Sequence, residues 1–301
     1  MKDGITQGLP VPEEMMAPFR DSSGQLGEPG GLQRRMAEDG YLFLRGALDR
    51  NEVLAARAEV FERLAEVDEV AVPAPDGIFT GRSRRKEMAE NLGVFWRSVS
   101  EGPNLRQVTH GPHLRGVMGE VFGEPARPHD YLFLRPGPVG RSTNLHYDHP
   151  FFARGSNRIH TVWLALGEVP VSDGPLVVVE GSNRFDDLIA PAVSVDYKSK
   201  DTPLVSVLDN PIALARDRGT RLLTADFEPG DMAVFSMTIL HGTLDNHSAI
   251  GRIRLSCDIR YQPEADPLDK RYFGPNPTGT TGVGYGELNG AKPLTEPWHT
   301  R

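Results

Sequence analysis

Residues 158–180 read RIHTVWLALGEVPVSDGPLVVVE and hold two apolar runs, one on either side of the turn sequence SDGP. Short apolar runs bounded by Gly, Pro, Asp and Ser are typical of β-strands joined by tight turns. Comparable runs recur from about residue 130 onward: Tyr131–Arg135, Arg158–Leu166, Leu176–Glu180, Met232–Ser236 and Arg252–Gln262. This pattern predicts a mostly β domain of two antiparallel sheets.

Helical patterns dominate the sequence before these strands. A short strand is predicted at Tyr41–Leu44, followed by a helix from about Arg50 to Glu66. Asp49 is the predicted N-cap of this helix, because a short acidic side chain accepts hydrogen bonds from the first free backbone N–H groups. Further helices are predicted through about Ala37, at about 88–99 and at about 103–121. We expect the helices to pack on the outside of the sheets.

The organisation predicted along the chain is one domain with two extensions. Residues 1–30 are rich in Pro and Gly and predict an irregular arm, and residues 264–301 predict an irregular tail on the surface. Residues 31–263 form the predicted domain. Within it, residues 186–224 show little periodicity and are long enough to form a lid.

Composition and charge exclude several classes of protein. The single cysteine, Cys257, excludes an intrachain disulfide framework and a cysteine-based zinc or iron–sulfur site. The net charge of −8 argues against a nucleic-acid partner and against an anionic membrane surface. No apolar run is long enough to cross a membrane, and the first twenty residues do not resemble a targeting signal. We therefore expect a cytoplasmic protein without a nucleic-acid or membrane partner, and leave its oligomeric state open.

One short segment has the spacing of metal ligands. His146 and Asp148 are two residues apart, so on an extended segment both side chains point to the same face. His241, which follows a predicted strand, is the best candidate for a third ligand. Two histidines and one carboxylate on one face of an octahedron leave three positions open, as in non-haem Fe(II) oxygenases. If the segment is extended further back, Asn144 shares this face and is a candidate contact for the co-substrate or substrate.

The strand that follows His241 alternates strictly between polar and apolar residues. Its polar positions are Arg252, Arg254, Ser256, Asp258 and Arg260. Two interpretations are open: an ordinary solvent-exposed face, or the polar wall of a cavity. In the second case a guanidinium on this wall would bind a dicarboxylate through paired hydrogen bonds.

These motifs occur in an order that resembles a known family. The order is His-x-Asp at 146–148, a Gly-Asp strand ending in a histidine at 230–241, and an arginine eleven residues later at 252. It resembles the phytanoyl-CoA dioxygenase family of Fe(II)- and 2-oxoglutarate-dependent oxygenases. Three segments carry the resemblance: HGTLDNHSAIGRIRLS (241–256) resembles the family's distal-histidine segment, EDGYLFLRGALDRNEV (38–53) its opening strand and turn, and HTVWLALGEVPVSDGPLVVVEGSNRF (160–185) its central strands. The similarity covers roughly residues 32–262.

The resemblance implies a fold and a set of roles. The fold would be a double-stranded β-helix, the jelly roll of cupin-like proteins, with flanking helices. His146, Asp148 and His241 would bind iron. Arg252 would bind the distal carboxylate of 2-oxoglutarate, and the residues implied to assist it or to lie near the co-substrate are Thr243, Ser256, Trp163 and Tyr131.

The expected activity is hydroxylation of an unactivated C–H bond of a small molecule by dioxygen, with release of succinate and CO2. The intact carboxylate of Asp148 argues against halogenation, because related halogenases have a small residue at that position. Two alternatives stay open. The first is a cupin-like isomerase or hydrolase that uses a metal without redox chemistry. The second is a non-catalytic binding module, in which a buried His and Asp without a metal would be destabilising.

Overall fold

Two β-sheets lie face to face, and helices cover the outer face of the larger sheet. The computed structural model describes residues 3–197 and 210–296. In these residues the strands are β1 (Ile5–Thr6), β2 (Leu9–Pro10), β3 (Met16–Pro18), β4 (Tyr41–Leu44), β5 (Ala126–Pro128), β6 (Phe133–Gly137), β7 (His160–Ala165), β8 (Leu176–Val179), β9 (Leu222–Thr224), β10 (Met232–Ser236), β11 (His241–Thr243) and β12 (Arg254–Pro263).

The helices of the described residues mostly precede the long strands. They are α1 (Gly31–Asp39), α2 (Arg50–Glu66), α3 (Arg85–Met88), α4 (Leu92–Ser100), α5 (Pro103–His110), α6 (Pro112–Phe122), α7 (Asp186–Val193) and α8 (Pro211–Asp217). The predicted combination of β-sheets with helices on the outside is confirmed.

The larger sheet has the order β4-β10-β7-β12-β5, and β6 also pairs with β12. The smaller sheet has the order β11-β8-β9-β3. All these pairs are antiparallel except β3 with β9, which is parallel. Strand β12 is therefore central, with β7 on one side and β5 and β6 on the other.

The alternation along β12 separates two cores. Leu255, Cys257 and Ile259 point to the helices and join a large apolar cluster there. The opposite positions face the smaller sheet, yet Arg254, Ser256 and Arg260 are at most 3% exposed. Of the two interpretations of this polar face, the cavity wall is confirmed.

A second apolar cluster fills the space between the sheets. It contains residues of the larger sheet such as Phe43 and Trp163 and residues of the smaller sheet such as Leu176 and Val178. Large apolar side chains contribute about 1.5–3 kcal/mol each when fully buried. This cluster therefore holds the sheets together beside the polar wall of β12.

Helix α2 matches its prediction at both ends. The Asp49 side chain accepts hydrogen bonds from the backbone N–H groups of Asn51 and Glu52, as an N-cap does. The single helix predicted at 103–121 is instead two helices, α5 and α6, which meet at Gly111. Pro112 explains the break, because proline has no N–H to donate and disfavours a helical conformation in the residue before it.

Both ends of the chain contribute to the packing. In the segment predicted as an irregular arm, β3 adds a strand to the smaller sheet. In the segment predicted as a surface tail, Tyr272, Tyr285, Leu288 and Leu294 are buried in the large apolar cluster. The predicted lid at 186–224 contains α7, α8 and β9, and its residues 198–209 lie outside the described residues.

None of the helices in the described ranges combines the length and the apolar composition needed to cross a bilayer.

Candidate metal centre

Three side chains from distant parts of the sequence meet between the sheets. His146 and His241 face each other in an isolated antiparallel bridge, with backbone N–O distances of 2.9 and 3.1 Å. Asp148 lies two residues further along, directly before a 3-10 turn over His149–Phe151. Each residue offers one potential ligand atom, and the three atoms, from His146, Asp148 and His241, all lie within 4.8 Å of one another. The structure thus brings together the three predicted ligands.

The chain bends directly after Asp148. Asp148 has φ −76° and ψ −23°, and its ψ angle leads the backbone into the 3-10 turn. The predicted extended segment therefore ends at Asp148.

Backbone carbonyls orient both imidazoles. Nδ1 of His146 is 2.8 Å from the carbonyl oxygen of Asn144, and Nδ1 of His241 is 3.0 Å from that of Ile239. A ring nitrogen bonded to a carbonyl oxygen carries the proton, which leaves the Nε2 lone pair free to bind a metal. The two Nε2 atoms lie 3.6 Å and 3.9 Å from Oδ1 of Asp148.

The other carboxylate oxygen of Asp148 is bonded to the protein. Oδ2 accepts a hydrogen bond of 2.5 Å from Oγ1 of Thr161 and one of 2.9 Å from Nη2 of Arg260. Thr161 and Arg260 are directly opposite each other in the pairing of β7 with β12. Both side chains are fully buried or nearly so. Asp148 therefore presents Oδ1 to the histidines and Oδ2 to the sheet.

Electrostatics favour a charged carboxylate beside a neutral His241. Burial by itself would raise the pKa of Asp148, but the positive charge of Arg260, with smaller contributions from His146 and His241, holds that pKa well below its usual range. Burial, with a smaller contribution from the nearby His146, lowers the pKa of His241 to about 4. A neutral imidazole and an ionised carboxylate are the forms that bind a metal.

A cavity opens beside these three residues. The open space is about 320 Å³ including its mouth, and only about 20 Å³ of it can be reached by the centre of a water molecule, so the enclosed part is narrow. The residues that line it are Arg135, Thr143, His146, Trp163, Leu176, His241, Gly242, Thr243, Arg254 and Asp258. Imidazole nitrogens, a guanidinium and an apolar wall thus converge on one small space.

Arg254 brings an incompletely bonded cation to this cavity. Its side chain is fully buried, and Nη1 donates a hydrogen bond of 2.9 Å to Oγ of Ser256. Its Nε and Nη2 have no hydrogen-bond partner within the described protein. Burial lowers the pKa of Arg254 to about 10, so the side chain remains charged at neutral pH. A buried, charged and incompletely bonded guanidinium fits an anionic ligand in the cavity.

Arg252 does not reach the cavity. It precedes β12, its Nε donates a hydrogen bond of 2.6 Å to Oδ2 of Asp173, and its Nη1 is 3.9 Å from Glu168. The dicarboxylate-binding guanidinium was predicted at Arg252; Arg252 does not line the cavity, whereas Arg254 does. The reason is where the strand begins. Strand β12 starts at Arg254, so Arg252 lies before the strand and is not one of its inward-facing residues.

The other residues predicted near the co-substrate lie in different places. Trp163 and Thr243 line the cavity, and Ser256 contacts it only through Arg254. Tyr131 is elsewhere: its ring stacks on Tyr285 and its hydroxyl donates a hydrogen bond to the carbonyl of Gly284.

Asn144 lies in neither of these places. Its side chain is almost buried, and its contact with the predicted ligands is the backbone carbonyl that orients His146.

Several residues of this site were not predicted from the sequence. Arg135, Asp258 and Leu176 line the cavity, and Thr161 and Arg260 hold Asp148. A signal for Arg254, Asp258 and Arg260 was present, because all share the inward face of β12 with Ser256. No pattern in the sequence marked Thr161, whose contact depends on the pairing of two distant strands.

Two imidazole nitrogens and one carboxylate oxygen are the ligand set of non-haem Fe(II) sites, and the free guanidinium fits a carboxylate of a co-substrate. The residues present therefore fit both an iron ion and a dicarboxylate.

Comparison with known proteins gives a consistent result. The model of the family described as "Phytanoyl-CoA dioxygenase (PhyH)" matches residues 36–254. The chain is 25% identical over 272 residues to the 1-deoxypentalenic acid 11-beta-hydroxylase of Streptomyces exfoliatus, a match that covers 83% of this chain and 87% of the hydroxylase. It is 24% identical over 240 residues to a probable phytanoyl-CoA dioxygenase of Caenorhabditis elegans, covering 75% of this chain and 73% of the other.

Solved structures share the fold. The epimerase SnoN, crystallised with Fe3+, alpha ketoglutarate and a nogalamycin compound, superposes with a TM-score of 0.54 at 20% identity, covering 85% of this chain and 96% of SnoN. EctD from S. alaskensis, crystallised with 2-oxoglutarate and 5-hydroxyectoine, gives a TM-score of 0.53 at 20% identity and covers 83% of both chains.

Proposed function

The chain belongs to the phytanoyl-CoA dioxygenase family, and from this membership we propose that it is an Fe(II)- and 2-oxoglutarate-dependent dioxygenase that hydroxylates an unactivated C–H bond of a small molecule. The observation that carries the proposal is the convergence of His146, Asp148 and His241 at the edge of a cavity that also holds the free guanidinium of Arg254.

The three converging side chains are the proposed iron ligands. Backbone carbonyls accept hydrogen bonds from the Nδ1 atoms of both histidines, and Thr161 and Arg260 donate to Oδ2 of Asp148. The atoms left to bind the metal are Nε2 of His146, Nε2 of His241 and Oδ1 of Asp148. Because the protein supplies three ligands of an octahedral set, about three positions remain for a chelating co-substrate and dioxygen.

Arg254 is the proposed partner of the distal carboxylate of 2-oxoglutarate. Its Nε and Nη2 would donate the paired hydrogen bonds that a guanidinium makes with a carboxylate. Thr243 lines the same cavity and its Oγ1 is held by the backbone N–H of Thr143. Trp163 and Leu176 would enclose the carbon chain and exclude water from the site.

When bound, Fe(II) and 2-oxoglutarate supply the oxidation, in which dioxygen gives one atom to succinate and one to the substrate while CO2 is released. The protein supplies orientation, charge and a dry cavity. Neutral imidazoles and an ionised Asp148 are the protonation states that metal binding requires.

We also propose that the two sheets are the halves of a double-stranded β-helix. The face-to-face sheets and the TM-scores of 0.54 and 0.53 to SnoN and EctD support this finer description of the fold. In such a fold the metal centre lies between the sheets, where His146 and His241 lie here.

The proposed substrate is a small metabolite. The hydroxylase relative is named for 1-deoxypentalenic acid, and EctD was crystallised with 5-hydroxyectoine. Both are small molecules, which supports a substrate of that size here. A cytoplasmic location remains part of this proposal, because the single cysteine suits a reducing compartment.

The site also weighs against the two alternative functions. A metal-dependent isomerase or hydrolase without redox chemistry has no need of a dicarboxylate co-substrate, so a buried free guanidinium would be a cost without a benefit. The second alternative, a binding module without a metal, is disfavoured by the ligands themselves, because burying Asp148 and two imidazoles costs free energy that a bound metal would offset.

Succinate release tests the proposal. The chain is loaded with Fe(II) and 2-oxoglutarate without oxygen, mixed with a panel of small metabolites, and exposed to dioxygen. We expect oxygen-dependent succinate formation that one class of metabolite accelerates and that His241→Ala abolishes. His247→Ala is the matched control, because His247 lies six residues further on and outside the cavity. Turnover of a metabolite without oxygen or 2-oxoglutarate would contradict the proposal.

A further inference from the structure

Arg260 is the one fully buried cation that contacts a proposed iron ligand within the described ranges. It lies on β12, six residues after Arg254 and on the same inward face. Its Nη2 donates a hydrogen bond of 2.9 Å to Oδ2 of Asp148.

Two aromatic rings restrict the direction of this guanidinium, and a second carboxylate lies near it without a hydrogen bond. Its central carbon lies 4.4 Å from the ring centroid of Phe133 and 4.6 Å from that of Phe152. Its Nη1 is 3.9 Å from Oδ2 of Asp258. A planar guanidinium stacked on rings in a dry environment has little freedom to turn. Arg260 is thus a rigid donor aimed at one oxygen atom.

Thr161 donates to the same oxygen atom from the neighbouring strand. Its Oγ1 lies 2.5 Å from Oδ2 of Asp148, and its backbone is paired directly with that of Arg260. Each oxygen of a carboxylate has about two lone-pair positions. Two protein donors therefore occupy both positions on Oδ2 and leave only Oδ1 facing the histidines.

We propose that Arg260 is a positioning residue that restricts Asp148 to binding the metal through one oxygen atom. With one oxygen bound, the protein occupies three of six positions, and a chelating co-substrate leaves one for dioxygen. If both oxygens of Asp148 bound the metal, the co-substrate would fill the last two positions. The fixed guanidinium therefore keeps one position open. This inference rests on the proposed iron site.

The number of water molecules on a bound metal tests the inference without any turnover. The probe is Mn(II) bound to the chain without co-substrate, and the measurement is the relaxation rate of water protons, which reports the exchangeable waters on the ion. We expect about three waters for the wild-type chain and about two for Arg260→Met. About three waters on Arg260→Met would overturn the proposal.

Two further variants separate positioning from stability. Arg85 is also fully buried, bonds Glu69 at 2.6 Å and stacks on Phe95 and Trp96, but it does not contact the metal centre. We expect Arg85→Lys to lower the melting temperature and to keep about three waters. If Arg260→Met fails to fold, Arg260→Gln decides: the shorter, neutral glutamine ends near the position of the Arg260 Nε and lacks the Nη2 donor, so about two waters are expected, and about three would overturn the proposal.

The wild-type measurement separates a failure of the proposed metal site from a failure of the proposed role of Arg260. A wild-type chain that does not bind Mn(II) would contradict the proposed metal site itself. A wild-type chain with about three waters and an Arg260→Met chain with the same number would contradict only the role of Arg260.

Discussion

Arg252 and Arg254 are two residues apart and have different surroundings. Arg252 is bonded to Asp173 near the surface, whereas Arg254 is buried at the cavity with two free nitrogens. We therefore expect Arg254→Ala to weaken 2-oxoglutarate binding while metal binding persists. A hydrogen bond to a charged group contributes about 1.5–3 kcal/mol, which corresponds to roughly 10- to 150-fold in affinity.

Anaerobic titration of the Fe(II)-loaded chain with 2-oxoglutarate measures this effect, and Arg252→Ala is its matched control. We expect the control to bind 2-oxoglutarate with wild-type affinity. The opposite order, with Arg252→Ala the weaker binder, would restore the assignment made from the sequence and exclude the one made from the structure.

The sequence predicted which three candidate ligands lie close together but not which arginine of β12 lines the cavity, for a physical reason. His146 and Asp148 are close in sequence, so local spacing is enough to pair them. Arg252 was chosen by its distance from His241, which depends on the length of the turn between β11 and β12. That turn carries Arg252 outside the strand, and a shift of two residues places Arg254 on the wall instead.

At the scale of elements, the segments that carry His146 and His241 must approach closely, and Gly242 permits this. A Cβ atom at Gly242 would lie 2.5 Å from the carbonyl oxygen of Thr143, a backbone atom that cannot move without separating the two segments. We expect Gly242→Ala to weaken Mn(II) binding by roughly 10-fold, at the lower end of the effect of changes around metal ligands.

Gly116 provides the control for this substitution. It is an exposed residue of α6 with open space around its Cα, so Gly116→Ala should raise helix stability by about 1 kcal/mol and leave Mn(II) affinity unchanged. Dye-competition titrations of both variants give the comparison. Equal affinities for Gly242→Ala and the wild-type chain would mean that the close approach is not required.

Helices and strands were predictable where neighbouring residues in the sequence determine them. Asp49 and the apolar stripe of α2 gave both ends of that helix, and the alternation of β12 indicated that one face is polar. Whether that face met solvent or a cavity depended on the smaller sheet, which is formed by strands distant in sequence. The contact of Thr161 and Arg260 with Asp148 has the same origin, because it needs the pairing of β7 with β12.

At the scale of the whole molecule, buried neutral histidines predict sensitivity to acid. Burial, with smaller contributions from the charges of Arg106 and Arg115, lowers the pKa of His110 to about 3. Its ordinary pKa of 6.5 applies in the unfolded chain. Between these values the unfolded state binds a proton that the folded state does not, so folding stability falls as the pH decreases from about 6.5 toward 3.

In this pH range the free energy of unfolding is expected to change by about 1.4 kcal/mol per pH unit for each such histidine. Urea unfolding of the metal-free chain at pH 7 and pH 5 measures it. His110→Gln retains a polar side chain without the titrating group, so the free energy of unfolding should depend on pH less steeply by about this amount. An unchanged slope would show that His110 titrates in the folded chain much as in the unfolded one.

The extent of the domain was the feature least visible in the sequence. A Gly- and Pro-rich tail predicted an irregular surface segment, yet Tyr272 and Tyr285 are buried against Tyr131 and the helices. Aromatic residues spaced widely among glycines give no periodic signal, although each buries a large apolar surface. Tyr131 therefore packs against the tail instead of contacting the cavity.

The central claim concerns where an iron ion and its co-substrate bind, and anomalous diffraction at the iron edge tests it most directly. Crystals of the chain grown without oxygen with Fe(II) and 2-oxoglutarate should show one strong peak within bonding distance of Nε2 of His146, Nε2 of His241 and Oδ1 of Asp148. The co-substrate should extend from that peak to Arg254. A peak at other residues, or a co-substrate carboxylate on Arg252, would contradict the account.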